Sequence, residues 1–164
     1  MVLTKSELIG SLKNEVRILM HLAGKVDRAQ LDYRPTPKQR STMELLQYLS
    51  IMGPELVKAA IAGTFDGAVW GAAEAESKAR DFDQTLAVIE GQGKVLADLL
   101  GALPDEAFRE EINLFGMPAS RGSFIVNVAL SGYAAYRTQL FCYLKACGRE
   151  ELSTMNLWMG ADGK

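Results

Sequence analysis

The readiest nucleophiles and general bases near neutral pH are few in this chain: one histidine and two cysteines. His21 has Asn14, Arg17 and Lys25 as its helical neighbours, opposite a Leu12–Val16–Leu19 stripe. That places it on a polar helix face, as a solvated surface histidine and not a buried base. Cys142 and Cys147 are five residues apart, so on a helix they point roughly 140° from each other. They form neither a CxxC pair nor a disulfide framework, and on an apolar helix they read as small core residues. Glu44 is a candidate proton acceptor. Its spacing from Ser41 also makes it the far half of a helix capping box, which accounts for it without chemistry.

The elements that must position these groups follow from composition and periodicity. The chain has 164 residues, 48% hydrophobic and 23% charged, as expected of one globular domain spanning residues 1–164. Its net charge of -2 and the lack of a basic block argue against nucleic acid binding. The longest apolar run, SFIVNVALSGYAAY, is too short to span a bilayer and carries Asn127 within it, so no membrane insertion is expected. No secretory signal is visible at the start, and two unpaired cysteines suit a reducing, cytoplasmic setting.

Helical spacing dominates. Thr4 and Glu7 form a capping box ahead of Leu8, Leu12, Val16, Leu19, Ala23 and Val26, which predicts a first helix from about Lys5 to about Lys25. The segment LDYRPTPKQR holds two prolines and is a loop. Ser41 and Glu44 open a second helix along Leu45, Tyr48, Met52, Leu56 and Ala59, with Pro54 as an interior kink and an end near Gly63. Residues 64–83 read as a loop with one or two helical turns. A third helix begins near Asp83 and ends at Pro104. FREEINLFGMPAS is extended or irregular, Ser120 caps a long apolar helix from Arg121 to Cys147, and the tail adds a short helix. Four long helices without strand alternation predict an all-α, up-down four-helix bundle with longer connections.

Two segments carry a resemblance. YRPTPKQRSTMELLQYLS resembles a proline loop followed by Ser-x-x-Glu-Leu-Leu-x-His-Leu, and GYAAYRTQLFCYLKACG resembles His-x-x-x-His-Arg-Gly-Gln followed by Tyr-Leu-Arg-x-x-Gly. These are patterns of the DinB-like family, related to bacillithiol and mycothiol S-transferases. The resemblance implies a four-helix bundle, often homodimeric, and a divalent metal held by three histidines. Carried over by position, those histidines fall on Tyr48, Gly132 and Tyr136, and none is a histidine here.

Three imidazole nitrogens and an open fourth position suit Zn²⁺; a glycine and two neutral phenols do not. No metal and no cofactor are therefore expected. Tyr48 and Tyr136 are read either as hydroxyls lining a ligand pocket or as rings filling the vacated volume, with Gly132 making room. Arg137 and Gln139, also matched to the pattern, either orient a ligand carboxylate or pair with a neighbouring helix. The functional expectation is a small-molecule binding or interaction module with a degenerate metal site and no metal-dependent catalysis. The alternative is a metal-independent transferase or isomerase acting on a low-molecular-weight thiol. A homodimer is expected through the small-residue strip Ser131, Ala135, Thr138 and Cys142, unless another helix of the same chain uses that strip.

Overall fold

The computed structural model describes residues 3–163. Its long helices are α1 (Lys5–Ala23), α2 (Thr42–Ala62), α3 (Gly67–Lys78) and α4 (Phe82–Gly101). A 3-10 turn, Asp105–Arg109, leads into the hairpin β1 (Glu111–Leu114) and β2 (Met117–Ser120). The last long helix runs without a break through α5 (Arg121–Phe124), a π-helical segment (Ile125–Leu130) and α6 (Ser131–Ala146). A single π-helical turn, Met155–Met159, closes the tail.

Both predicted capping boxes are formed. Thr4 and Glu7 satisfy each other's backbone at α1, and Ser41 and Glu44 do so at α2. A third, Asp81 with Gln84, starts α4. The core is built by four helices. α4 and α6 each pack against both α1 and α2, so α1 and α2 sit at opposite corners of the bundle. The predicted all-α bundle is thus the observed architecture.

One segment differs from expectation, and another takes the extended form of its two expected ones. Residues 64–83 hold α3, a full helix and not a loop with a turn or two. Among helices it packs substantially only against α2, and Ser77 is its single buried residue, so no apolar stripe announces it. FREEINLFGMPAS folds as the hairpin, pairing Ile112 with Ala119 and Leu114 with Met117. Its two-residue turn, Phe115–Gly116, has φ of 57° and 73°, the doubly positive geometry of a tight hairpin turn. Phe115 stands where asparagine or glycine is usual.

Within α2, Gly53, next to Pro54, admits a phenol from the last helix. A Cβ at Gly53 would lie 2.0 Å from the Tyr133 hydroxyl oxygen, so only glycine permits this approach. Tyr133 is fully buried and donates to Gln92 Oε1 at 2.6 Å, and Gln92 Nε2 donates to the Leu49 carbonyl at 2.9 Å. This network joins α6, α4 and α2 around the backbone disturbed by Pro54.

Candidate functional site

Tyr48 and Tyr136 meet between α2 and α6. Their ring centroids are 4.9 Å apart at 66°, an edge-to-face contact, and both rings are half-buried. Gly132, one turn before Tyr136, lies under Met52, whose Sδ is 3.1 Å from where a Cβ would stand. The three positions matched to histidines therefore come together in space. Burial, and next the neighbouring Tyr136 hydroxyl, push the Tyr48 phenol well above its ordinary pKa, so Tyr48 stays protonated.

These residues do not fit a divalent metal. Glycine has no donor, Tyr48 is held as a neutral phenol, and Met52 packs against Gly132. Among the described residues, no group of three or more His, Cys, Asp or Glu side chains is arranged to hold an ion.

The other face of Tyr48 opens onto a cleft of about 310 Å³ between α2, α3 and the loop before α2. Arg34, Lys38, Arg40 and Lys78 line it together with Glu44 and Glu74. Arg34 pairs with Glu44 at 3.2 Å, and Lys78 with Glu74 at 3.2 Å. Lys38 and Arg40 have no ion pair among the described residues, so the cleft carries two uncommitted positive charges. The Arg40 guanidinium stacks over the Tyr48 ring, 4.0 Å from its centroid. Tyr48 also touches Trp70 of α3 edge-on, at 6.2 Å between centroids.

Glu44 is a rim residue of this cleft with a structural task. Its Oε2 accepts from the Ser41 amide at 2.7 Å. That bond and the Arg34 charge hold the carboxyl below its usual pKa, so it is an anion and a weak proton acceptor.

Gln139 acts on the cleft at one remove. Its Nε2 donates to the Tyr143 hydroxyl at 2.6 Å, and that hydroxyl donates to the Arg40 carbonyl at 2.9 Å. Tyr33 stacks edge-on against Tyr143 at 5.5 Å. The last helix thereby holds the backbone that presents Arg40. Arg137 is turned to the opposite side. It is buried, forms a two-point pair with Glu15 of α1, and donates to the Leu157 carbonyl.

His21 is covered by the tail and is not a free surface side chain. Asn156 contacts its Nε2 at 3.1 Å, and Asp162 lies 3.8 Å away. Burial lowers its pKa more than Asp162 raises it. Its polar neighbours on α1 are those expected, but Arg17 binds the carbonyls of Met159 and Gly160 and draws the tail across them. Cys142 is exposed and Cys147 is partly so, which corrects their placement in the core. Ser131, Ala135, Thr138 and Cys142 are all exposed, so among the described residues no other helix covers that strip.

The residues missed from sequence are Lys38 and Arg40 in the cleft and Tyr133 in the core. The two prolines that mark residues 31–40 as a loop carry no signal of which loop side chains converge.

In sequence, no family model matches the chain, and no curated protein matches it. In structure it is similar to a DinB-like protein, YjoA, of Bacillus subtilis, with a TM-score of 0.67 over 89% of this chain and 95% of that one. Identity is 16%, so the likeness is one of fold. The chain has an all-α bundle of DinB-like type. Among the described residues, no helix is long and apolar enough to cross a membrane.

Proposed function

We propose that this protein is a small-molecule binding module that takes a compact organic anion in the cleft above Tyr48. The observation that carries this is the pair of uncommitted cations, Lys38 and Arg40, converging on one recess floored by a protonated phenol. Two positive charges above an aromatic floor suit an anion with two acidic groups. In this reading the Tyr48–Gly132–Tyr136 layer is the remnant of a metal site, now packed as a wall of the cleft. The exposed small-residue strip on α6 supports close approach of a second copy, and sedimentation at micromolar concentration tests that pairing.

Calorimetric titration with citrate, against chloride at equal ionic strength, tests the binding. Citrate should bind at one site, and the Lys38→Gln/Arg40→Gln variant should weaken it by about tenfold or more. Equal binding by that variant overturns the assignment.

A second reading is favoured by the same phenol: a neutral donor among cations also stabilises a thiolate. Glutathione with 1-chloro-2,4-dinitrobenzene is the probe. The sulfur would form the C–S bond, chloride would leave, and the thiol proton would pass to solvent. Turnover that persists with a chelator and falls in Tyr48→Phe supports the transferase; a rate no higher than without protein excludes it for glutathione.

A further inference from the structure

A second cavity shares no lining residue with the Tyr48 cleft. It lies between the start of α1, the Asp105–Arg109 turn and the α5–π segment, and holds about 630 Å³. That is within the ~300–1,000 Å³ usual for sites of small organic ligands. Its walls are mainly apolar, with Leu8, Phe108 and Val126 on three different elements. Gly122 lets the turn close in: a Cβ there would meet the Phe108 carbonyl oxygen at 3.1 Å.

Its charges are few and unequally committed. Lys5 is spent on Asp105, at 3.1 Å, and on the Leu103 carbonyl, at 2.8 Å. Arg109 also lines the cavity and is exposed, with no ion pair or hydrogen bond for its guanidinium among the described residues. One free guanidinium beside an apolar recess matches an amphipath with a single negative head. The planar fork of Arg109 suits a carboxylate, and the aliphatic walls suit a chain.

We infer that this cavity binds a medium-chain monocarboxylate, with its hydrocarbon between Leu8, Phe108 and Val126 and its carboxylate on Arg109. The occupant differs from that of the Tyr48 cleft in charge, one against two, and in its need for apolar surface. The two sites are therefore separable by ligand and by mutation.

Calorimetric titration of the full chain with hexanoate, octanoate and decanoate, and with octan-1-ol, tests this. Octanoate should bind at one site, more tightly than hexanoate. Arg109→Gln should weaken octanoate by about tenfold or more, since a charge-assisted pair is lost, and leave octanol unchanged. Val126→Phe should weaken both by narrowing the recess, and Ser123→Leu, at an exposed lining position, serves if that variant misfolds. Lys38→Gln, in the other cleft, should leave octanoate binding as it is. No octanoate binding at millimolar concentration overturns the inference. So does octanoate binding that Arg109→Gln leaves unaltered, an octanol loss as large as the octanoate loss, or full binding in a folded filling variant.

Discussion

Gly53→Ala sets two effects of opposite sign against each other within one helix. In an interior helical position, alanine gains about 1 kcal/mol over glycine. The new methyl, however, would stand 2.0 Å from the Tyr133 hydroxyl oxygen and 2.4 Å from its Cζ, closer than atoms can share. Tyr133 cannot swing away cheaply, because it is fully buried and bonded to Gln92. Overpacking of this kind costs ~1–3 kcal/mol, and the depth of the overlap places it at the upper end. The net is a loss of about 2 kcal/mol, or a fall in Tm of about 4–8 °C for a domain of this size. Thermal unfolding followed by circular dichroism reads it directly. Tyr133→Phe should not relieve the variant, since the ring carbons also lie within 2.5 Å of the added methyl. Tyr133→Leu should relieve it in part, giving a positive coupling in the double-mutant cycle. A Gly53→Ala protein that is more stable than wild type would refute the close approach, because only the helix-propensity gain would then remain.

Other outcomes follow from the same physical reasoning. Arg137→Met strands the Glu15 carboxylate, which is only 14% exposed, and should cost ~3–5 kcal/mol in denaturant unfolding. Adding Glu15→Leu should recover much of that, whereas a single variant as stable as wild type would show that the pair is idle. Thr85→Val replaces a fully buried hydroxyl whose oxygen has no hydrogen-bond partner among the described residues, and should raise stability by about 1 kcal/mol; a loss would mean that the hydroxyl is satisfied. For His21 the folded pKa lies below its ordinary value of about 6.5, so the unfolded chain binds the extra proton first. Its contribution is complete above that value and is lost as pH falls through the lower folded pKa. Lys25 and Arg17 oppose the charged form, and Asp162 favours it without reversing the direction. The fall in Tm between pH 7.5 and 5.5 should therefore shrink in His21→Gln, and an equal fall would exclude this histidine as its source.

Legibility from sequence tracked how local each feature is. The capping boxes at Thr4–Glu7 and Ser41–Glu44 span three residues each, and both form as read. The four core helices announce themselves because each buries a stripe against two neighbours, whereas α3 packs mainly on one helix and leaves no stripe. Motif spacing alone pairs Tyr48 with Tyr136, which do meet. The actual cleft depends on Lys38 and Arg40, set by a loop whose backbone is held by Tyr143, 103 residues away from Arg40. His21 shows the same limit: its neighbours on α1 describe a polar face, and only the returning tail covers it. On the last helix the motif falls on Tyr136, while the phenol at the centre of the bundle is Tyr133, whose place depends on Gly53 of another helix.

The diagonal placement of α1 and α2 has a consequence for how the chain reaches this structure. As it is synthesised, α1 has no following neighbour in sequence to pack on, since its main partners are α4 and α6. At ~5–20 residues added per second, α1 waits several seconds before Phe82–Gly101 exists. The unit that closes with the shortest loops is α2–α3–α4, in which α2 packs on both α3 and α4. Folding is therefore expected to nucleate in the middle of the chain, with α1 docking late onto a surface already made by α4. Truncations at Leu12 or Leu19 of α1 should then speed unfolding far more than they slow refolding.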